Sequence, residues 1–255
     1  MEKITSAKNP TVQQLRDLKT AKNRRRSGMF LVEGEVMIRE AIKCGLNMRI
    51  LAADEEHAAA WRDTAAQTIS VPRGILESIC ETQTPQGVCA AFDLPKETPV
   101  DQLPNRIVAL DGVQDPGNVG TIWRTADAAG FQGVLLGAGC ADPLSAKVMR
   151  AAMGSGFRLP FAHTQSLADT LIQLRGAGYR AFASDLHGDD FYARADGGEK
   201  FVLIIGNEAR GISDAVRENA DVRVKLPMRG GAESLNAAVA AGIMMYEIMR
   251  RYDQK

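Results

Sequence analysis

Residues 106–137, RIVALDGVQDPGNVGTIWRTADAAGFQGVLLG, read as a strand, a bend, a helix and a second strand. The apolar run RIVAL ends at Leu110. Asp115-Pro116-Gly117 then turns the chain, and Asn118 is placed to cap a helix that continues to Ala129, with Gly130 as its C-terminal stop. At 3.6 residues per turn, Val119, Ile122, Trp123, Ala126 and Ala129 share one face, while Thr121, Arg124 and Ala128 lie opposite. A second apolar run, GVLLG at 133–137, follows almost at once. A strand, a helical crossover and another continuous apolar strand predict a parallel sheet covered on both faces.

Working outward, apolar runs at 179–185 (YRAFASD), 201–205 (FVLII) and 222–227 (VRVKLP) extend that sheet. Upstream, residues 9–94 alternate helix and strand. Helices are expected over 9–20, 35–45, 54–66 and 72–80, and strands at MFLVEG (29–34), MRILAAD (48–54), TISV (68–71) and GVCAAF (87–92). This pattern predicts a small α/β layer domain. DLPKETPVDQLPNR (93–106) carries three prolines and reads as an interdomain linker. The division expected is a domain over 1–95, a linker over 96–105 and a domain over 106–255.

A chain of 255 residues, 45% hydrophobic and 24% charged with 10 prolines, belongs among globular proteins rather than disordered or fibrous ones. No apolar stretch reaches the roughly 18–20 residues of a membrane span. The start, MEKITSAKNPTVQQLRDLK, lacks the apolar region of a signal peptide, so a cytoplasmic location is expected. Cys44, Cys80, Cys89 and Cys140 show no metal or redox spacing and are expected to be reduced and buried. His57, His163 and His187 are too scattered for a ligand set, and no metal is expected. Net charge is zero, yet residues 1–26 hold eight Lys/Arg against Glu2 and Asp17. Such a basic arm is either a footprint for a polyanion such as a phosphate backbone or a solvated helix face.

Open α/β sheets bind ligands outside the carboxyl ends of their strands, which directs attention to the turns that follow each one. Arg124 is either a solvent-exposed helical Arg or, with the positive end of its helix, a phosphate ligand. GAGCADP (137–143) has a Gly-x-Gly without the third glycine of a dinucleotide fingerprint, which disfavours a nucleotide-binding oxidoreductase. Ser155, in MGSGF, lacks the outer glycines of a nucleophile elbow. In IIGNEARGIS, Gly206 follows an apolar strand, where the absence of Cβ would let a ligand approach the backbone beside Asn207 and Glu208. In LPMRGGAESLNAAVAAGIMMYEIMR, Pro227, Gly230 and Gly231 make an irregular loop, and Glu233 or Ser234 opens a long helix whose first turns are Ala- and Gly-rich.

Three ordered motifs in these turns resemble those of the SpoU branch of the SPOUT RNA methyltransferases. They are Asn118-x-Gly120-x-x-x-Arg124, Gly206-Asn207-Glu208-x-x-Gly211, and Leu226-Pro227-Met228 followed by Ser234-Leu235-Asn236. Residues 1–95 look like that family's ribosomal-L30-like substrate-binding domain. The resemblance implies an α/β fold whose C-terminal parallel-sheet domain carries a deep trefoil knot, against the general rule that chains are unknotted. It also implies a homodimer that uses S-adenosylmethionine to methylate ribose 2′-hydroxyls of RNA, with 23S-type ribosomal RNA as the expected substrate. A tRNA substrate, or RNA binding without catalysis, is the alternative.

Carried over by position, the resemblance implies cofactor contacts for Gly206, Leu226 and Leu235, with Asn207, Met228 and Ala183 as additions. It implies catalytic or substrate roles for Asn118, Arg124, Glu208, Ser234 and Asn236, and candidate RNA-binding cations at Lys22, Arg24, Arg25, Arg26 and Arg150. Ala209 stands where many relatives have Gly. The family proposal makes the motif-one Arg a proton acceptor. A guanidinium, which holds its proton in proteins, is instead expected to clamp a phosphate and favour the developing alkoxide.

Overall fold

A parallel sheet built from the apolar runs dominates the C-terminal part of the computed structural model, which describes residues 1–62, 64–194 and 198–252. The chain forms two compact units, one of residues 1–96 with 144–157, the other of residues 97–143 with 158–255.

In the first unit the elements run β1 (Glu2–Lys3), α1 (Pro10–Asp17), α2 (Ala21–Ser27), β2 (Met29–Glu33), α3 (Glu35–Lys43), β3 (Met48–Ala53), β4 (Gln67–Ser70), α4 (Arg73–Ile79) and β5 (Val88–Asp93). The sheet order is β1-β4-β3-β5-β2, with β5 antiparallel to both neighbours and the other pairs parallel. Alternate side chains of each strand feed opposite cores. Met29 and Leu31 join Val12, Leu15 and Leu76 on one side, whereas Phe30 and Val32 join Ile38, Trp61 and Phe92 on the other.

The helix expected over 9–20 stops at Asp17. Thr20 caps a separate α2 by accepting from the Asn23 N–H, and the basic arm is itself helical. The helix expected over 54–66 is only a 3₁₀ turn at Ala58–Trp61, because between 55 and 62 only Ala58 and Trp61 are buried, too narrow a face to hold a longer helix. β1 escaped the sequence reading, being two residues long.

The second unit continues with β6 (Arg106–Asp111), α5 (Pro116–Ala129) and β7 (Gly133–Leu136). Next come α6 (Ala146–Ala152), which packs within the first unit, α7 (Ser155–Arg158) and β8 (Phe161–His163). The remainder is α8 (Leu167–Gly176), β9 (Arg180–Asp190), β10 (Phe201–Gly206), α9 (Asp214–Asn219), β11 (Val222–Lys225) and α10 (Ala237–Tyr252). All six strands are parallel, in the order β11-β9-β10-β6-β7-β8. One face packs Ile107, Leu135 and Ile204 against Leu171 and Leu174 of α8 and Val216 of α9. Helices α5 and α10 run side by side in the same direction: Asn118 bonds Asn236, and Gly242 lies against Thr125. The α5 faces are as the periodicity predicts, with Val119, Ile122, Trp123 and Ala126 fully buried and Thr121, Arg124 and Ala128 exposed.

Two helix starts differ from expectation. Asp115, not Asn118, caps α5 by accepting from the Asn118 N–H, with Pro116 at the first helical position. Helix α10 begins at Ala237, not at Glu233 or Ser234, since Asn236 Oδ1 accepts from the Ala238 and Val239 N–H groups. The second half of the proline-rich stretch is anchored within this unit, where Tyr179 donates its hydroxyl to Leu103 O at 2.7 Å. Among the described residues no helix is long and apolar enough to cross a membrane.

Candidate functional site

Strand β10 lies between β9 and β6, so the strand order reverses beside β6, the place where open α/β sheets form their ligand crevice. β10 and β6 end level, Gly206 opposite Asp111. Beyond Gly206 the chain folds sharply on itself, Asn207 and Gly211 exchanging both backbone hydrogen bonds at 2.9 Å. A Cβ on Gly206 would lie 2.2 Å from the Gly211 carbonyl carbon. The glycine is required by this turn's own backbone, rather than by an approaching ligand as the sequence suggests. Asn207 completes the turn by accepting from the Ala209 and Arg210 N–H groups and donating to Gly112 O at 2.8 Å.

This turn thrusts Glu208 against the start of α5. Its carboxylate accepts from the backbone N–H groups of Gln114 (3.2 Å) and Asp115 (3.1 Å) and from Asn118 Nδ2 (2.9 Å). The positive end of a helix favours a carboxylate at that place. Burial works against ionising Glu208, but the hydrogen bonds from Asn118 and from backbone N–H groups outweigh it and hold the pKa below the usual Glu value. Asn118 Oδ1 in turn accepts from Asn236 Nδ2 at 3.0 Å, and Asn236 caps α10. One polar chain therefore joins residues from the three motifs: Glu208, Asn118 and Asn236.

A cavity of about 350 Å³ opens beside this chain, lined by the outer half of β9, the turns after β10 and β11, and the start of α10. Gly206, Asn207, Leu226, Met228, Ser234 and Leu235, six of the residues singled out in the sequence, lie along it, as does Glu208. Ala183 does not; it is fully buried in β9 opposite Ile204, and β9 contributes Ser184 to His187 instead. Arg124 is outside the lining too. It is exposed on α5, and no partner for its guanidinium is found among the described residues.

The candidate RNA-binding cations divide into two groups. Lys22, Arg25 and Arg26 are exposed. Arg24, by contrast, is 4% exposed and donates to Leu18 O and Lys19 O, closing the end of α1. Arg150 bonds Glu33 at 3.3 Å, a carboxylate that also accepts from Thr82 and from the Glu81 N–H. Both side chains are thus committed to holding the first unit together. The sequence reading also missed the pair Asp185 and Arg217, whose 3.1 Å bond spans 32 positions along the chain and leaves no local signature.

Comparison with known proteins gives this geometry a context. Residues 105–246 match the SpoU rRNA Methylase family model, and residues 9–90 match an MRM3-like substrate binding domain. The chain is 37% identical to the 23S rRNA (guanosine(2553)-2'-O)-methyltransferase RlmP of Bacillus subtilis, over 97% of this chain and 99% of the relative. Among solved structures it resembles an AdoMet-bound rRNA methyltransferase from Sinorhizobium meliloti (TM-score 0.88, 33% identity, 98% of both chains). It also resembles the SpoU methyltransferase AviRb from Streptomyces viridochromogenes in complex with AdoMet (TM-score 0.87, 32% identity, 96% of this chain and 99% of that one).

The lowered pKa of Glu208 fixes a sign. Its contribution to stability is complete above the usual carboxylate range and is lost as pH falls through the depressed value. Glu208→Gln is expected to lower Tm near neutral pH by no more than about 2 °C, because solvent screening of this exposed carboxylate keeps its contribution below the roughly 1 kcal/mol that would shift a protein of this size by about 2–4 °C. Melting curves from pH 7 downward should show that deficit shrinking once pH falls below the usual Glu range and vanishing as the folded carboxylate of the parent is itself protonated.

Proposed function

Because the chain belongs to the SpoU rRNA methylase family, we propose that it methylates ribose 2′-hydroxyls of 23S-type ribosomal RNA, with S-adenosylmethionine as the methyl donor. The observation that carries this reading is the Glu208–Asn118–Asn236 chain, which ties the three motif turns together beside one cavity. The cavity fits the cofactor: its volume falls within the roughly 300–1,000 Å³ of small-molecule sites. Ile205, Leu226, Leu235 and Met244 offer an apolar wall for a purine, while Ser234 and the backbone around Asn207 offer polar contacts. When bound, S-adenosylmethionine supplies an electrophilic sulfonium methyl for in-line transfer.

The chain's own residues do the rest by alignment. A displacement of about 1 Å at such a centre can cost on the order of 10²-fold in rate, so Asn118 and Asn236 act by fixing where the turns meet. Arg124 clamps the phosphate next to the target ribose and favours negative charge on the attacking oxygen; its exposed, unpaired guanidinium on the helix that Glu208 anchors supports this role. Residues 1–95 recruit the RNA through Lys22, Arg25 and Arg26, contacts that weaken steeply with salt. Arg24 and Arg150, bonded internally, are left out of that surface.

The working form is a cytoplasmic homodimer with a trefoil knot in its second unit. Support for the dimer comes from the apolar stripe of Val239, Ile243 and Tyr246, exposed at helical spacing along α10. Support for the knot comes from membership of the SpoU family and from the fold shared with the SpoU methyltransferase AviRb.

With ribosomal RNA and radiolabelled cofactor, Arg124→Ala should lower methyl transfer by about 10²–10³-fold while cofactor affinity stays within about twofold. Arg124→Lys, lacking the forked donor, should recover only a small part; nearly full recovery would sink the clamp. Sedimentation of Tyr246→Glu should give a monomer where the parent gives a dimer, and a parent that sediments as a monomer removes the dimer from this account.

A further inference from the structure

The parallel pairing of β9 with β11 contains an abrupt jump. Phe182 and Ala183 face Val222 and Arg223, but the next residue of β11, Val224, faces Asp189. Five residues of β9, Ser184 to Gly188, therefore form a bulge-like excursion without register partners in β11, and four of them, Ser184 to His187, line the cavity.

Both ends of the excursion are fixed. At its far end a Cβ on Gly188 would lie 2.5 Å from the backbone of Arg223 and Val224, so only glycine passes there. At its near end the Asp185 side chain is 4% exposed and accepts from the His187 N–H at 3.0 Å and from Arg217 Nε at 3.1 Å, with Arg223 Nη1 at 3.8 Å. Arg217 also donates to Ile212 O at 3.3 Å, at the far side of the turn that carries Glu208. The Asp185–Arg217 pair thus ties two walls of the cavity to each other. Leu186, at the crown, is 61% exposed and lines the cavity, and Ser184 Oγ has no partner among the described residues.

We propose that residues 184–188 form a preorganised cap over the purine-bearing cofactor, with Leu186 as its apolar cover and the Asp185–Arg217 pair as the positioning device that sets its place. This rests on the assignment of S-adenosylmethionine to the cavity. Neither Asp185 nor Arg217 touches the reacting atoms; they act through the backbone they hold. Preorganisation of this kind strengthens binding by sparing the ordering cost that a loose loop would incur.

Calorimetric titration of the full chain with S-adenosylmethionine, alongside hydrogen exchange of the 184–188 amides without ligand, tests the proposal. Arg217→Ala removes a side chain that is 31% exposed, and Asp185→Asn keeps the shape of its parent, so both are expected to fold. Each should weaken cofactor binding by about 10–100-fold and speed exchange of the excursion, while kcat at saturating cofactor changes by less than about threefold. Leu186→Ala should weaken binding without altering exchange. Arg217→Lys, which keeps one donor, should fall between the parent and Arg217→Ala. Unchanged affinity in folded Asp185→Asn and Arg217→Ala overturns the proposal by itself. A parent that does not bind S-adenosylmethionine overturns the cofactor assignment and, with it, this inference.

Discussion

The carboxylate of Glu208 rests on the first turn of α5, and the organisation of the site depends on that contact. A helix start leaves backbone N–H groups without intrahelical partners; Glu208 takes that of the cap residue Asp115, together with that of Gln114 just before it. Their positive field, with the Asn118 amide, keeps the group ionised against its partial burial. Because Glu208 belongs to the turn after β10 and α5 follows β6, the bond closes the crevice where the strand order reverses. Asn118 then passes the connection to Asn236, whose other amide atom caps α10. Each amide spends one atom on its neighbour in the chain and the other on a second partner, so a change at one link reaches the next.

The same arrangement separates two tasks. The cavity is built from the outer half of β9, the turns after β10 and β11 and the start of α10, with polar and apolar side chains about equally represented. Arg124, projecting from the exposed face of α5, is kept clear of it. In the proposed function, methyl donor and RNA would then fall on different sides of a single polar chain.

Much of this was legible in the amino-acid order, for reasons that differ by element. Strands β6, β7 and β10 announce themselves as continuous apolar runs because a parallel sheet is buried on both faces. The two faces of α5 follow from its period residue by residue. What failed were assignments resting on one residue's preference. Asn118 has the chemistry of a cap, but Asp115 stands directly before a proline suited to the first helical position and takes that role, freeing the Asn118 side chain for Glu208. Gly206 was read as making room for a ligand, whereas the obstruction is the chain's own backbone five residues on. The excursion at 184–188 was hidden because a break in β9 depends on its register with β11, about 40 residues away. Leu144–Phe157 packs with the first unit although it lies between β7 and β8 of the second, which linear order could not disclose. Among the basic residues, charge alone could not tell Arg24, spent on the end of α1, from its exposed neighbours.

The claim that the three motif turns act as one unit can be tested through two residues that do not bond each other. Glu208 and Asn236 communicate through Asn118. Methyl-transfer rates on ribosomal RNA for Glu208→Gln, Asn236→Ala and the double variant form a cycle whose interaction energy reports that communication. A double variant little slower than the worse single, corresponding to coupling of about 1 kcal/mol or more, is the result expected of a shared chain. Effects that simply multiply would mean that the turns are held independently, and would contradict the account.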